Sequence, residues 1–117
     1  MDKNILDLQD VMERVQDDRE LLMELLDIFS DDYVEKRELL NDLLKDNNAE
    51  EVRNIAHSIK GAAGNISAKA IHATCEQMER LAEEKNLAAV NELLAPLDKQ
   101  FADLQKCIKE LKDQKEG

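Results

Sequence analysis

At 117 residues the chain fits one domain with a single core, so residues 1–117 are read as one unit. Its composition is 43% hydrophobic and 37% charged, with one Pro, three Gly, no Trp, one Tyr and two Phe, which suits helices packed through Leu, Ile, Ala and Val. A formal net charge of −11, with the 16 Lys and Arg scattered among acids, argues against nucleic acid or anionic lipid as a partner, and no apolar run approaches the ~20 residues that span a bilayer.

The amino terminus, MDKNILDLQD, lacks the basic start and apolar middle of a signal peptide, so a cytoplasmic location is expected. A start at Met1 favours a free-standing protein. Cys75 and Cys107 are too few for a disulfide scaffold and fall at apolar positions in helical patterns, where a free Cys acts as a small hydrophobe.

Asp7 can cap a short first helix through about Val15, with Leu8, Val11, Met12 and Val15 as its apolar edge, lying across the end of a bundle. Asp17 as N-cap, with Glu20 at the third helical position, reads as a capping box that opens a long helix to about Lys45. Leu22, Leu25, Leu26, Phe29, Tyr33, Leu40, Leu43 and Leu44 form its main stripe, interrupted by Lys36. A second stripe of Leu21, Ile28 and Leu39 lies roughly 100–120° around. Packing under the first helix is the expectation for it; exposure as a docking surface is the alternative.

Asn48 with Glu51 repeats the cap-plus-acid signal and starts the helix that holds His57. Gly64 to Ser67 weaken that helix, and Ser67 is read as the cap of the next one. This fourth helix, about Ala68 to Glu84, presents Ile71, Cys75, Met78, Leu81 and Ala82 to the core. Asn86 can cap the last, whose seam of Val90, Leu94, Leu97, Phe101, Leu104, Ile108 and Leu111 has alternating spacings of four and three. Pro96 predicts a kink or restart near Ala95, and the tail from about residue 112, KDQKEG, is expected to fray. The predicted fold is all-α: an antiparallel up-down-up-down four-helix bundle with an additional short N-terminal helix. Without a second full apolar seam, a monomer is expected.

On a helical wheel Val52, Ile55, Ile59, Ala62 and Ile66 fall opposite His57, at roughly 140–220°, and form the predicted core face. Within about 60° of His57 lie Glu50, Arg53, Asn54, Lys60, Gly61 and Gly64, so His57 should stand outward. Each mid-helix Gly costs about 1 kcal/mol relative to Ala, so close approach by another molecule would explain Gly61 and Gly64. Lys60 supplies a cation near anything anionic attached to His57. The competing reading is a solvated histidine beside a Gly64-Asn65 helix end.

The run AHSIKGAAGNISA from Ala56 to Ala68, followed by Cys75 and by Met78-Glu79, resembles the histidine-containing phosphotransfer (HPt) domain family of bacterial two-component phosphorelays. The similarity extends more loosely over about Asp7 to Leu111. It implies that His57 is the phosphoacceptor, that Lys60 supports the phosphorylated state electrostatically, and that Gly61 and Gly64 give steric access. Two departures are Ser67, where the family usually has Gly, and Ile59, where it usually has Leu.

An unprotonated imidazole nitrogen can attack an aspartyl phosphate without a buried base. The expected function is therefore to accept a phosphoryl group on His57 from a receiver-domain aspartate or a kinase and to pass it to another receiver. The expected partners are response-regulator receiver domains and histidine or hybrid sensor kinases. No cofactor is expected on this chain, since the receiver would bring the Mg²⁺. No Walker sequence, kinase Gly-rich loop or histidine-kinase lid is present, so the chain is expected to be a phosphocarrier rather than an enzyme. Docking is expected on the His57 helix and its long neighbour, with Arg53, Leu21 and Ile28 as candidates. Two alternatives are a helical interaction module without phosphotransfer, and a metal site at His72, Cys75 and Glu79; no metal is expected.

Overall fold

The computed structural model describes residues 2–114. Five helices follow one another: α1 (Leu8–Arg14), α2 (Arg19–Lys45), α3 (Ala49–Asn65), α4 (Lys69–Glu83) and α5 (Leu87–Gln114). Helices α2 to α5 form the antiparallel four-helix bundle, and no strand occurs among the described residues. The molecule is elongated, 48 × 21 × 20 Å, because α2 and α5 each run about 40 Å at 1.5 Å per residue, past the ends of the shorter α3 and α4.

The antiparallel register of α2 against α5 is visible in its cross-links. Arg19 Nη2 donates to the Leu111 carbonyl at 3.0 Å, Gln105 Nε2 to Ser30 Oγ at 2.8 Å, and Arg37 Nε to Asp98 Oδ1 at 2.7 Å. Between them Tyr33 stacks on Phe29 and Phe101, with ring centroids 6.1 and 4.0 Å apart. The seam of α5 is buried as its spacing predicts, with Phe101 half-buried. The helix passes through Pro96 as one element, without a restart, and continues to Gln114. The predicted fraying tail thus begins inside a helix, and the rest of it, 115–117, lies outside the described residues.

Helix α1 covers the α3–α4 end of the bundle. Asn4 accepts from the Ala70 amide, Asp7 donates its own amide to the Ser67 carbonyl at 3.0 Å, and Lys69 Nζ pairs with Asp7 Oδ2 at 2.8 Å. Leu6 and Val11 are driven into the core beside these ties. The predicted caps Asp7, Asn48 and Asn86 each accept a backbone amide from three residues on, at 3.1 to 3.2 Å.

Four expectations are corrected. The cap of α2 is Asp18, which accepts from Leu21 N at 3.0 Å, while Asp17 sits in the turn at φ 63°. Ser67 does not cap α4; it has φ 59°, and its hydroxyl donates to Asp10 Oδ2 on α1, leaving Ala68 as a cap without a side-chain bond. The buried face of α3 is rotated by roughly 40° on the wheel, toward Ala56 and Ala63, which are fully buried while Ile55 and Ala62 are only half-buried. Finally, Leu21, Ile28 and Leu39 do not pack beneath α1; all three are exposed, Ile28 by 64%. α1 is held at the α3–α4 turn and does not reach that side of α2.

Candidate functional site

His57 projects from the middle of α3, with its side chain 64% exposed, as the polar face predicts. Its environment is nonetheless built. From α4, Glu79 reaches across with both carboxylate oxygens: Oε2 lies 2.7 Å from His57 Nδ1, and Oε1 accepts from Lys60 Nζ at 2.6 Å. Glu79 itself is buried, so these two partners take up the hydrogen bonds that water would otherwise supply. The Lys60 ammonium first, and His57 second among the hydrogen-bonding partners, hold the Glu79 carboxyl below the ordinary carboxylate range against the opposing effect of burial.

An ionised carboxylate can only accept a hydrogen bond, so His57 Nδ1 carries the imidazole proton. In the neutral ring the free lone pair is then on Nε2, which has no hydrogen-bond partner among the described residues. Sequence reasoning missed this role for Glu79. The signal was its place two helical turns after His72 on the α4 face beside α3, but the pairing itself spans 22 residues and depends on the register between helices.

Lys60 is one turn beyond His57 and is brought to it through Glu79. The two glycines differ. A Cβ at Gly61 would meet nothing within 4 Å, so no packing within the chain requires glycine there. At Gly64 a Cβ would touch His72 Nδ1 at 3.4 Å, and that imidazole nitrogen lies 3.1 Å from the Lys60 carbonyl. The 3.4 Å approach is ordinary van der Waals contact, so a side-chain methyl at Gly64 would pack against the His72 ring.

Arg53, one turn before His57, is half-buried, with Nη2 bonded to Asn54 Oδ1 at 2.9 Å and Nη1 3.9 Å from Glu83 on α4. On the opposite flank Lys36 Nζ donates to Ser58 Oγ at 2.6 Å and to Asp32 at 2.7 Å, joining the exposed edge of α2 to the His57 face. Leu21 and Ile28 lie on that edge. His72, Cys75 and Glu79 do not converge on a point: Cys75 is fully buried, with its thiol pushed up to about 12 by burial, while Glu79 and His72 turn to α3. No group of three or more potential metal ligands gathers among the described residues.

The family model of the Hpt domain matches residues 24–114. The chain belongs to the Hpt domain family. Two solved structures are similar to it. Histidine-containing phosphotransfer protein B (HptB) from Pseudomonas aeruginosa PAO1 shares 27% identity, with 97% of this chain and 94% of that one covered at a TM-score of 0.76. The Hpt domain of the Hpt sensor hybrid histidine kinase from Shewanella shares 16% identity and the same fold, with 97% of each chain covered at a TM-score of 0.80. No curated protein matches the chain in sequence. An Hpt domain is a phosphocarrier that acts in histidine phosphotransfer, with two-component phosphorelay partners such as receiver domains and kinases. No helix among the described residues is long and apolar enough to cross a membrane.

Proposed function

We propose that this Hpt domain carries its phosphoryl group on Nε2 of His57, held for attack by Glu79. The observation that supports this most directly is the 2.7 Å contact between His57 Nδ1 and Glu79, which leaves the outward nitrogen as the nucleophile. The Nε2 lone pair attacks the phosphorus of a receiver's aspartyl phosphate, the N–P bond forms, and the P–O bond breaks with its electron pair returning to the aspartate carboxylate. No proton need leave: Nδ1 keeps its own, and the positive charge that develops on the ring faces the Glu79 carboxylate.

Lys60 has three N–H donors and gives one to Glu79. The others are available to a phosphoryl group on His57, as electrostatic support. Gly61 gives steric access, since a receiver active site can close over bare backbone. Gly64, one turn further on, keeps the same face clear. The receiver supplies the aspartate and the Mg²⁺, and this chain binds no cofactor of its own and has no autokinase activity. It acts as a monomer in the cytoplasm and docks receivers through α3 and the adjoining edge of α2, with Arg53, Leu21 and Ile28 in the contact.

The test is to mix the protein with phosphorylated receiver domains and Mg²⁺ and to follow acid-labile, base-stable phosphate. Wild type should become labelled and His57→Gln should not; labelling of His57→Gln, or no transfer from any of a broad set of receivers, would overturn the assignment.

A further inference from the structure

Lys36 stands in the main apolar stripe of α2, one turn from buried Tyr33 and one from buried Leu40, with its side chain 24% exposed. A cation in such a place loses hydration that an apolar side chain of the same length would not need, so packing of the bundle does not explain it. Its ammonium instead makes two short bonds: Nζ donates to Ser58 Oγ at 2.6 Å and to Asp32 Oδ2 at 2.7 Å. Ser58 follows His57 on α3. Among the described residues this is the one side-chain hydrogen bond between α2 and α3, whereas α3 meets α4 through three: His57 and Lys60 on Glu79, and His72 on the Lys60 carbonyl.

We propose that Lys36 is a positioning residue for phosphotransfer: through Ser58 it fixes the rotation of α3 about its own axis, and so the place of the His57 ring. On the wheel Ser58 lies about 100° to one side of His57 and Lys60 about 60° to the other, so the bonds to α4 hold one flank of α3 and the Lys36 bond holds the opposite one. A helix held on one flank can roll. His57 Nε2 lies about 8 Å from the α3 axis, given a Cα radius of about 2.3 Å and the length of the side chain, so a roll of about 10° displaces it by roughly 1.4 Å. In-line attack on an aspartyl phosphate is sensitive to displacements of that size, whereas docking is spread over a whole interface. Asp32, one turn earlier on α2, anchors the same ammonium, so Lys36 does not simply follow Ser58 as α3 turns. This role rests on His57 being the phosphoacceptor. Lys36 acts on the chemical step through α3, not by touching the imidazole.

The experiment follows single-turnover transfer from a receiver domain charged with acetyl phosphate and Mg²⁺, over receiver concentrations that separate half-saturation from the saturating rate. Lys36→Met keeps the length of the side chain and removes both bonds. Its saturating rate should fall by about tenfold, with half-saturation unchanged and the denaturation midpoint equal to or above that of the wild type. Ser58→Ala should give the same loss, and the double variant no more than either single one, because all three remove one bond. Lys36→Arg keeps a charged donor and should recover most of the rate. Labelling by phosphoramidate, a donor small enough to reach any orientation of the ring, should stay within about twofold of the wild type in every variant. An unchanged saturating rate in Lys36→Met or Ser58→Ala, an additive loss in the double variant, or a change in half-saturation alone overturns the proposal. Should Lys36→Met fail to fold, Ser58→Ala carries the same test. Failure of phosphoramidate to label His57 in the wild type would contradict the acceptor assignment instead.

Discussion

Glu79 answers two side chains at once, and its removal should be felt at both. Glu79→Ala frees the Nδ1 proton to move to Nε2 and removes the carboxylate that faces the developing ring charge, so transfer should slow by roughly tenfold to a hundredfold in single-turnover assays. Glu79→Gln keeps an acceptor without the charge and should fall between. Gly61 offers a sharper separation of fold from function. Its missing Cβ touches nothing in the chain, so Gly61→Gln should raise stability by about 0.5–1 kcal/mol in denaturant melts through helix propensity while slowing transfer. A variant that is stabilised and transfers at the wild-type rate would remove the steric argument. At this scale the exposure of His57 was legible from the wheel, because exposure follows from the residue's own helix. Glu79 was not, because a contact across 22 residues depends on how two helices register.

Between helices the same device recurs. The α2–α3, α3–α4 and α4–α5 connections each place one residue in the left-handed region, Asn47 at φ 54°, Ser67 at 59° and Lys85 at 61°, just before the N-cap of the next helix. The amide of the following residue then closes back onto the fifth residue before it, as Asn86 does onto the Leu81 carbonyl at 2.8 Å. No glycine is used, although a non-glycine residue there is strained by about 1 kcal/mol. Lys85→Gly should therefore stabilise the domain by about that much, read as a higher denaturation midpoint. Ser67 is harder to replace, since its hydroxyl and carbonyl hold Asp10 and the Asp7 amide. Asp7, Asn48 and Asn86 marked their helix starts in the sequence because a cap bonds three residues away. Asp17 misled because Asp18 beside it offers the same chemistry, and Ser67 because its hydroxyl is drawn to α1, a partner far away in sequence.

For the whole molecule, the alternating seam of α5 and the Leu stripe of α2 were enough to specify a bundle, since an antiparallel arrangement is what short connections allow. What they could not convey was which surplus apolar residues find cover; Leu21, Ile28 and Leu39 remain outside because α1 is tied to the opposite turn. The ties themselves set the response to acid. Asp7, held low chiefly by Lys69, Asp10, held low chiefly by the Ser67 hydroxyl, and Glu79, held low chiefly by Lys60, all have folded-state values below their unfolded ones. Their contribution is fully present above the unfolded values and is lost as pH falls through the folded ones. Stability should thus fall below about pH 4.5, with no counterpart from these groups near neutrality. A denaturation midpoint that stayed level down to about pH 3 would contradict this.

The central claim is that a carboxylate on α4 fixes which nitrogen of His57 carries the phosphoryl group. Heteronuclear NMR of the phosphorylated, ¹⁵N-histidine-labelled protein tests it directly, because it distinguishes the two ring nitrogens and the two histidines. Phosphorus coupled to Nε2 of His57, with a protonated Nδ1 and an unmodified His72, is the predicted result. Phosphorus on Nδ1 of His57, or on His72, would contradict it.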